Sequence, residues 1–241
     1  MEPVGIVIPW FGADLKGGAE QQAWQVATRL ARRGHPVEVL TTCCRSFTED
    51  WGKNHLPAGL SREGELAVRR FPVERGDRAA FNRVNRRLLA LERSDLKSGV
   101  SPVSRADAET FLEDNVQSAA LLAHLRQHRE SYRVFLFLAY LYGPTLKGLP
   151  LVADRAYLQL CLHDEAYAYL PQVDHVVRCA KGLLFNSEGE AELAARLYGP
   201  AVWSRGLVVG EGVEVGETPG PDPAGRGMGR YVLYLGRRNR T

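Results

Sequence analysis

Residues 4–42, VGIVIPWFGADLKGGAEQQAWQVATRLARRGHPVEVLTT, carry the pattern that decides the fold. An apolar run at 4–8 is followed by a loop that ends in two glycines, an amphipathic helix predicted over 19–33, and a second apolar run at 37–41. The helix prediction depends on apolar residues spaced three and four positions apart. Strand, glycine loop, helix and strand are typical of a βαβ unit, whose two strands lie parallel with a right-handed crossover.

The glycine pair Gly17 and Gly18 stands where the loop enters the helix. Residues without a Cβ allow a ligand to approach the backbone closely and can adopt positive φ. The first N–H groups of a helix also attract an anion such as phosphate. A Gly-Gly turn that only reverses the chain is the alternative. The full stretch favours a phosphate site, and we expect the loop over 11–17 to be open to solvent and poorly ordered.

The composition is that of a soluble globular protein, with 241 residues, 45% hydrophobic residues and a formal net charge of +3. This charge is too small to indicate nucleic-acid binding. The four cysteines show neither a CxxC pair nor zinc-type spacing, so we expect buried free thiols in a reducing compartment. There is no signal-peptide pattern, and the apolar runs are far shorter than the ~20 residues of a membrane span. A cytoplasmic location is therefore expected.

Repeated strand and helix patterns along the chain predict an α/β fold, a Rossmann-like doubly wound parallel sheet over residues 1–215. The segment 42–76 is predicted to be irregular apart from a strand at 66–71. Residues 216–230 are rich in glycine and proline and predict a linker. Residues 231–241 begin with another apolar strand pattern, which we interpret as the first strand of a second, truncated domain. Further strands are predicted at 132–138, 157–162, 182–185 and 206–209, and helices at 79–93, 104–128, 144–147, 172–180 and 188–198.

The predicted helix at 79–93 has an apolar stripe on one face and four arginines on the opposite one, Arg83, Arg86, Arg87 and Arg93. The surrounding segment 69–97 contains nine basic and four acidic residues. The arginines either solvate the outer face of a helix packed on the sheet, or contact an anionic membrane surface peripherally. Both interpretations remain open from the sequence.

Three features are predicted to meet at the carboxyl edge of the sheet, where α/β proteins bind ligands. They are the glycine loop, the aromatic pair Tyr140 and Tyr142, and the cluster His163-Asp164-Glu165. A phosphate loop, rings for stacking and a polar cluster together indicate a phosphorylated or glycosylated ligand. His163 beside two carboxylates can act as an acid or base, or donate a hydrogen bond to a sugar. The alternative is that Asp164 caps a helix and His163 bonds to backbone.

Several common motifs are missing from the sequence. It contains no GxxxxGK[ST] phosphate loop, no GxGxxG fingerprint in the first turn and no GxSxG nucleophile elbow. A P-loop NTPase, a dinucleotide-dependent enzyme of the usual type and an α/β-hydrolase are therefore disfavoured.

Four segments resemble the N-terminal, acceptor-side domain of retaining GT-B glycosyltransferases of the large group 1 or family 4. They are residues 17–20 opening a helix, residues 33–41, residues 185–188 before a helix that ends near 199, and residues 210–214, where Glu214 replaces the family's usual aspartate. Residues 231–237 are similar to the start of that family's C-terminal domain. The resemblance covers nearly the whole chain and implies one half of a GT-B fold.

The resemblance implies transfer of a sugar from a nucleotide-diphosphate sugar to a glycan or lipid-linked acceptor, without a metal or another cofactor. It implies that Gly17, Gly18 and Arg237 bind the donor diphosphate. His163 and Asp164 would be the catalytic residues near the transferred sugar. The residues assigned to the acceptor or sugar pocket are Glu20, Tyr140, Tyr142, Glu165 and Ser187.

The family's partner lysine and its distal carboxylate motif do not occur within these 241 residues. The full-length protein would be a hexosyltransferase, and this chain alone is expected to be inactive because charge on the departing diphosphate would be incompletely stabilised. The alternative function is a non-catalytic sugar- or nucleotide-binding module of the same fold. A GT-B epimerase ranks below both, since that family lacks the signature at 186–188.

Overall fold

The apolar run at the start of the chain lies in the middle of a parallel sheet in the computed structural model, which describes residues 1–212. The strands, in chain order, are β1 (Val4–Val7), β2 (Val37–Thr42), β3 (Gly59–Glu63), β4 (Leu66–Phe71), β5 (Val134–Leu138), β6 (Ala156–Gln159), β7 (Gly182–Phe185) and β8 (Gly206–Val208). The helices are α1 (Gly18–Arg32), α2 (Arg78–Leu89), α3 (Arg105–Glu113), α4 (Ala119–Gln127), α5 (Gly143–Gly148), α6 (Pro171–Cys179) and α7 (Glu188–Tyr198).

The order of the strands confirms the Rossmann-like doubly wound fold. Within the described residues the sheet runs β3-β4-β2-β1-β5-β6-β7-β8, and every neighbouring pair is parallel except β3 with β4. From β1 the chain winds outward through β2 and β4, then returns to β5 and winds outward in the other direction. The order therefore reverses between β1 and β5, and such a switch point opens a crevice at the carboxyl ends of the strands.

Helices cover both faces of the sheet. On one face α1 packs its fully buried Ala23 and Ala27 on side chains such as Ile6, Val39 and Val68. Small residues at this contact allow the helix to lie close to the strands. The remaining helices share a larger apolar core on the opposite face, which includes Phe135 and Phe137 of β5. The two apolar cores hold the helices on the two faces of the sheet, and the loops at the carboxyl edge extend from this packed sheet.

The long helix predicted over 104–128 is wrong, because the chain forms α3 and α4 with a break between them. At the break, the buried Asn115 donates from Nδ2 to the Leu141 carbonyl at 3.0 Å, and its Oδ1 accepts from the Gly143 amide at 3.2 Å. Ser118 then caps α4 by accepting from the Leu121 amide at 3.2 Å. Long-range hydrogen bonds of this kind override the local apolar period.

Other parts of the chain also differ from the prediction. The exposed strand β3 lies within the segment predicted to be irregular, and it pairs with β4 through a turn at Gly64, whose φ is +60°. Helix α2 ends at Leu89, so Arg93 lies in a separate 3-10 turn rather than on the helix. Strand β6 ends at Gln159, three residues before the predicted end. The predictions for 213–241, including Glu214, the linker, the last strand and Arg237, lie outside the described residues.

The cysteines match the expectation of buried thiols only in part. All four cysteines are free thiols, and Cys43 and Cys44 are buried whereas Cys161 and Cys179 are half-buried. Burial raises the pKa of Cys44 to about 11, which leaves its thiol protonated and unreactive at neutral pH. Within residues 1–212, none of the helices has both the length and the apolar character needed to cross a bilayer.

Candidate functional site

The loops predicted to meet at the carboxyl edge do follow neighbouring strands, since β1 pairs with β5 and β5 pairs with β6. Two of the three exits contain a non-glycine residue with positive φ. Ala139 directly follows β5 with φ of 64°, and Cys161 follows β6 by two residues with φ of 55°. Such backbone conformations cost of order 1–3 kcal/mol and cluster at ligand sites. Both residues turn the chain at the edge of the crevice.

The N-terminus of α1 faces this edge without a side-chain cap from the described residues. Its N-cap Gly17 is extended, with φ of −72° and ψ of 150°, and neither Gly17 nor Gly18 adopts the positive φ that we expected of the pair. The glycines act through their small size instead. A Cβ on Gly17 would overlap the Glu20 carboxylate, whereas a Cβ on Gly18 would have no described heavy atom within 4 Å. Gly18 is therefore exposed, with free space where a side chain would begin.

The loop before α1 is open only in its middle. Ala13, Asp14 and Lys16 are exposed, as expected. Phe11 is buried, which corrects the expectation for that end of the loop, and its ring stacks on Trp24 of α1 at 5.3 Å between centroids. Packing holds the loop at Phe11 and, near its other end, at Leu15, which lies against the larger apolar core, while the exposed residues lie next to the uncapped helix.

Glu20 is fixed at the mouth of the site by the buried Trp10. The Trp10 indole Nε1 donates to Glu20 Oε1 at 2.5 Å, and the Trp10 ring meets Tyr142 edge-on at 4.8 Å. A carboxylate at this position repels a phosphate that comes within a few ångströms, but its free lone pairs can accept from hydroxyl groups. Glu20 therefore suits the sugar contact assigned to it better than a diphosphate contact.

Tyr140 offers no ring face to a ligand, which corrects its expected stacking role. Its side chain is buried, and its hydroxyl donates to Glu165 Oε1 at 2.7 Å. Burial, and then the neighbouring Glu165, raise the pKa of Tyr140 well above its usual range, so the hydroxyl keeps its proton. Tyr140 and Glu165 hold each other in the interior. Tyr142 is half-buried and packs against Trp10 and Trp51.

His163 is the exposed member of the predicted cluster, and within residues 1–212 its imidazole has no hydrogen-bond or ion-pair partner. The segment around it is held firmly. Glu165 bonds to Tyr140, and the Tyr167 hydroxyl donates to Asn85 Oδ1 of α2 at 2.5 Å. Asp164 does not cap a helix, since the 3-10 turn that follows has Glu165 as its N-cap without a side-chain bond. The structure thus presents a free imidazole from an anchored loop.

Asp164 is occupied by three partners rather than free for chemistry. Its carboxylate forms ion pairs with Arg93 and with Arg196 of α7, the latter at 2.5 Å, and accepts from the Tyr169 hydroxyl at 2.7 Å. Its side chain is 14% exposed. These contacts with two guanidinium groups and a hydroxyl engage the carboxylate on the protein itself. Asp164 is therefore well suited to hold the His163 segment, and less suited to the catalytic role predicted for it.

The arginines expected to contact a membrane do not form one free set. Arg93 is committed to Asp164, and Arg87 binds Asp107 of α3 at 2.7 Å. Arg83 and Arg86 are exposed and have no ion pair within the described part of the chain. Two of the four arginines predicted to form a basic surface thus form ion pairs within the domain.

An amide cluster beside the site was missed by the sequence analysis. The Asn186 Oδ1, at the exit of β7, accepts from Gln22 Nε2 of α1 at 2.9 Å and from Gln159 Nε2 of β6 at 2.8 Å. Gln22 lies 164 positions from Asn186, so no local signal indicates the contact. The cluster ties α1 to the strand exits on the other side of the crevice.

Glu190 is a second residue that was missed. Its buried carboxylate accepts from the Leu162 amide at 2.7 Å and from the Asn186 amide at 2.5 Å, so it joins the exits of β6 and β7. Ser187 caps α7 by accepting from the Glu190 amide at 3.1 Å, which occupies the hydroxyl that we had assigned to the sugar pocket. The S-x-x-E pattern at 187–190 is a capping-box signal that could have indicated Glu190.

No protein-family model matches the chain, and no curated protein matches it. Among solved structures, one described as trehalose-6-phosphate from E. coli bound with UDP-2-fluoro glucose aligns with a TM-score of 0.49 and 15% identity, over 82% of this chain and 42% of that one. The alpha,alpha-trehalose 6-phosphate synthase of Burkholderia multivorans aligns with a TM-score of 0.44 and 14% identity, over 80% and 42% of the two chains.

A UDP-forming alpha,alpha-trehalose-phosphate synthase of Burkholderia vietnamiensis aligns with a TM-score of 0.44 and 15% identity, over 78% of this chain and 41% of that one. The chain therefore spans less than half the length of each of these proteins. Alignments at this level assign neither a family nor a function, so the functional argument depends on the site itself.

Proposed function

We propose that the chain is the acceptor-side domain of a retaining glycosyltransferase of the GT-B type, which transfers a sugar from a nucleotide-diphosphate sugar to a glycan or lipid-linked acceptor. One observation carries the proposal: the uncapped N-terminus of α1, opened by Gly18, and the free imidazole of His163 lie at one sheet edge. They follow β1 and β6, which flank β5 on its two sides. The motif resemblance at 17–20 and 185–188 supports the same function.

In this proposal the donor diphosphate approaches the backbone at Gly18. An anion at a helix N-terminus is stabilised by about 0.3–1 kcal/mol at an exposed position. Basic groups supply the remaining charge stabilisation, with Arg237 as the expected contributor, and no metal is required. Gly17 contributes by giving room to Glu20, which accepts hydroxyl groups of the sugar.

His163 is the residue that acts next to the transferred sugar. A free imidazole can donate a hydrogen bond to a sugar hydroxyl or take up a proton, and its position is fixed by the anchored segment around it. Asp164 is a positioning residue in this scheme, because its carboxylate is held by Arg93 and Arg196. Transfer by this chain alone is expected to be absent, because one domain supplies only part of the charge stabilisation.

The proposal extends to where the protein works. We place it in the cytoplasm, and a lipid-linked acceptor would bring it to the inner membrane face. Arg83 and Arg86 are the arginines available for such a peripheral contact. Failure of the chain to sediment with anionic vesicles at low salt would exclude this part of the proposal and leave the transfer reaction unaffected.

The test is nucleoside-diphosphate binding by calorimetry, with UDP, GDP and ADP titrated into the 241-residue chain. Gly18→Val places a side chain in the open space without meeting described protein atoms, so we expect the fold to persist and affinity to fall by about tenfold or more. Gly189→Val is the matched control, since Gly189 lies in the first turn of α7 with comparable free space. Equal affinity of both variants, or no binding of any of the three nucleotides, would overturn the proposal.

A non-catalytic binding module of the same fold is the second candidate. The commitment of Asp164 to two arginines favours it, since it leaves His163 as the one unpaired member of the predicted acid-base pair. The two candidates differ in the full-length protein. A glycosyltransferase loses transfer but keeps nucleotide binding after His163→Ala, whereas a binding module shows no transfer before or after the substitution.

A further inference from the structure

A separate cavity of about 540 Å³ is lined by residues 50–52, 74–79, 114 and 115. Its lining comes from loops that follow β2 and β4 and from the break between α3 and α4, so it opens at the same edge of the sheet. The volume is within the range of small-molecule sites. The residues that matter for its chemistry are Asp50, Trp51, Glu74, Arg75, Asp77, Arg78 and Asp114.

Arg78 supplies an unused hydrogen-bond donor in this cavity. Its guanidinium lies over the ring of the buried Trp51, with its Cζ 3.7 Å from the ring centroid. The Nη1 atom is buried and has no hydrogen-bond partner among the described residues. A buried donor without an acceptor costs free energy that a ligand oxygen would recover. The stacking on Trp51 holds this donor in one place.

Two acidic residues of the lining, Asp50 and Asp114, are held in position by hydrogen bonds from backbone amides. Asp50 Oδ1 accepts from the Gly52 amide at 3.0 Å, and Asp114 Oδ1 accepts from the Asp77 amide at 2.7 Å. Each carboxylate keeps further lone pairs that can accept from a hydroxyl group. Four carboxylates against two guanidinium groups give the lining a net negative charge. A phosphate or carboxylate ligand is therefore repelled, while a neutral ligand that both donates and accepts is matched.

Aromatic side chains lie between the Trp51 side of this cavity and the first turn of α1, where the donor is proposed to bind. Trp51 packs on Trp10 at 5.6 Å and on Tyr142 at 6.0 Å between centroids. Trp10 in turn donates to Glu20 at the start of α1. Contacts through these rings therefore connect Trp51, in the lining of the cavity, with Glu20 in the first turn of α1.

We propose that this cavity binds a neutral polyhydroxylated ring, the sugar unit of an uncharged acceptor, and excludes phosphorylated acceptors. Hydroxyl groups of the ring donate to Asp50 and Asp114, and a ring or hydroxyl oxygen accepts from Arg78 Nη1. The inference rests on the proposed function and names the acceptor class for it. The selection against anions follows from the charge of the lining and would hold for any glycan that fits.

The experiment uses the 241-residue chain labelled with 5-fluorotryptophan and followed by fluorine NMR. The chain has four tryptophans, and the Trp51 resonance is assigned with Trp51→Phe. The probes are the methyl glycosides of glucose, galactose, mannose and N-acetylglucosamine, with glucose 6-phosphate and glucuronate as anions. We expect at least one neutral glycoside to shift the Trp51 resonance, and the anions to bind about tenfold more weakly or not at all.

Two variants test the contacts. Arg78→Met keeps an unbranched side chain over Trp51 but removes the donor, and should weaken glycoside binding by about tenfold. Arg83→Met is its control on the exposed side of α2 and should leave binding unchanged. Asp50→Asn keeps the acceptor for Gly52 while it removes one charge, and should strengthen binding of glucose 6-phosphate by about fivefold. Thermal unfolding of each variant shows that the fold is retained.

The outcomes separate this inference from the proposed function. The inference would be overturned if no neutral glycoside shifts the Trp51 resonance, or if the unsubstituted chain binds glucose 6-phosphate as tightly as the neutral glycosides. It would also be overturned if either Arg78→Met or Asp50→Asn has no effect on binding. UDP binding is measured in parallel by calorimetry, and UDP should bind as the proposed function requires. If glycosides bind and UDP does not, the assignment of the cavity stands and the proposed donor site is wrong. If UDP binds and glycosides do not, the proposed donor site stands and the assignment of the cavity is wrong.

Discussion

The loop after β1 and the segment after β6 meet at one edge of the sheet, but they are held in opposite ways. The first is anchored at its two ends and exposed in its middle, and the groups that it offers to a ligand are backbone N–H groups at Gly18. The second is anchored residue by residue from other elements, and it offers one side chain, His163. A ligand can reach backbone N–H groups only where no side chain fills the space in front of them. A side chain that contacts a ligand must instead be held in position by its neighbours.

This difference determines which substitutions matter. Near Gly18 a substitution acts by filling space, so its effect on binding should exceed its effect on stability. Around His163 a substitution acts by removing support, so stability and ligand contact should change together. The following predictions test this contrast, from the largest expected effect on the free energy of unfolding to the smallest.

The strongest support of the β6 segment is Glu190. Glu190→Ala leaves the Leu162 and Asn186 amides without their carboxylate acceptor, and we expect a loss of about 2–4 kcal/mol in the free energy of unfolding. Urea unfolding followed by circular dichroism measures the change. Glu192→Ala, at an exposed position of the same helix, should change stability by less than about 0.5 kcal/mol. Equal effects of the two substitutions would show that Glu190 does not hold the strand exits.

His124 should make the stability of the fold sensitive to acid. His163 is free, whereas His124 packs against His128 and lies 2.9 Å from the Tyr132 hydroxyl, which donates to Glu38. Burial, and then the charges of His128 and Arg69, lower the pKa of His124 from 6.5 to about 4. Between these values the unfolded chain binds more protons than the folded chain, so stability falls as the pH falls from about 6.5 to about 4.

Because His124 is only half-buried, we expect this loss to be about 1–2 kcal/mol rather than the full value of the shift. Urea unfolding at pH 7 and at pH 4 measures it. His124→Gln should reduce the difference in stability between the two pH values. A difference that persists in full after His124→Gln would assign the acid sensitivity to other groups.

Asp164 tests whether support for His163 comes from the ion pairs. Asp164→Asn keeps an oxygen acceptor for Tyr169 but removes the charge that pairs with Arg93 and Arg196, whose side chains are largely exposed. We expect a loss of about 1 kcal/mol that shrinks in high salt. The measurement is urea unfolding at low and high salt. A loss that does not depend on salt would mean that the charge is not what holds the segment.

The sequence predicted the parts of this edge that depend on local patterns. The βαβ unit, the exits of β5 and β7 and the meeting of the three loops follow from apolar periodicity and from the rules of parallel sheets, whereas β6 ends three residues before its predicted end. The orientation of the side chains could not be obtained in this way. Tyr140 and Asp164 were predicted to face a ligand, yet the first is buried against Glu165 and the second is bound by arginines from distant segments.

The break between α3 and α4 shows the same limit. The apolar stripe continues through 104–128, so the local pattern indicates one helix. The helix ends early because Asn115 bonds to the loop after β5, a contact that only the folded chain brings about. The edge strand β3 was missed for another reason, because its exposed residues carry no apolar alternation.

The smallest effect on stability should come from the glycine pair. Gly18→Ala should raise stability by about 0.5 kcal/mol, because alanine favours the helix and its Cβ meets no described atom within 4 Å. Gly17→Ala should instead lower it slightly, since its Cβ overlaps the Glu20 carboxylate and displaces it from Trp10. Thermal unfolding measures the effect of each substitution on stability, and UDP titration measures its effect on nucleotide binding. If Gly18→Ala weakens both stability and binding, then Gly18 is needed by the fold itself, and the contrast between the two loops is lost.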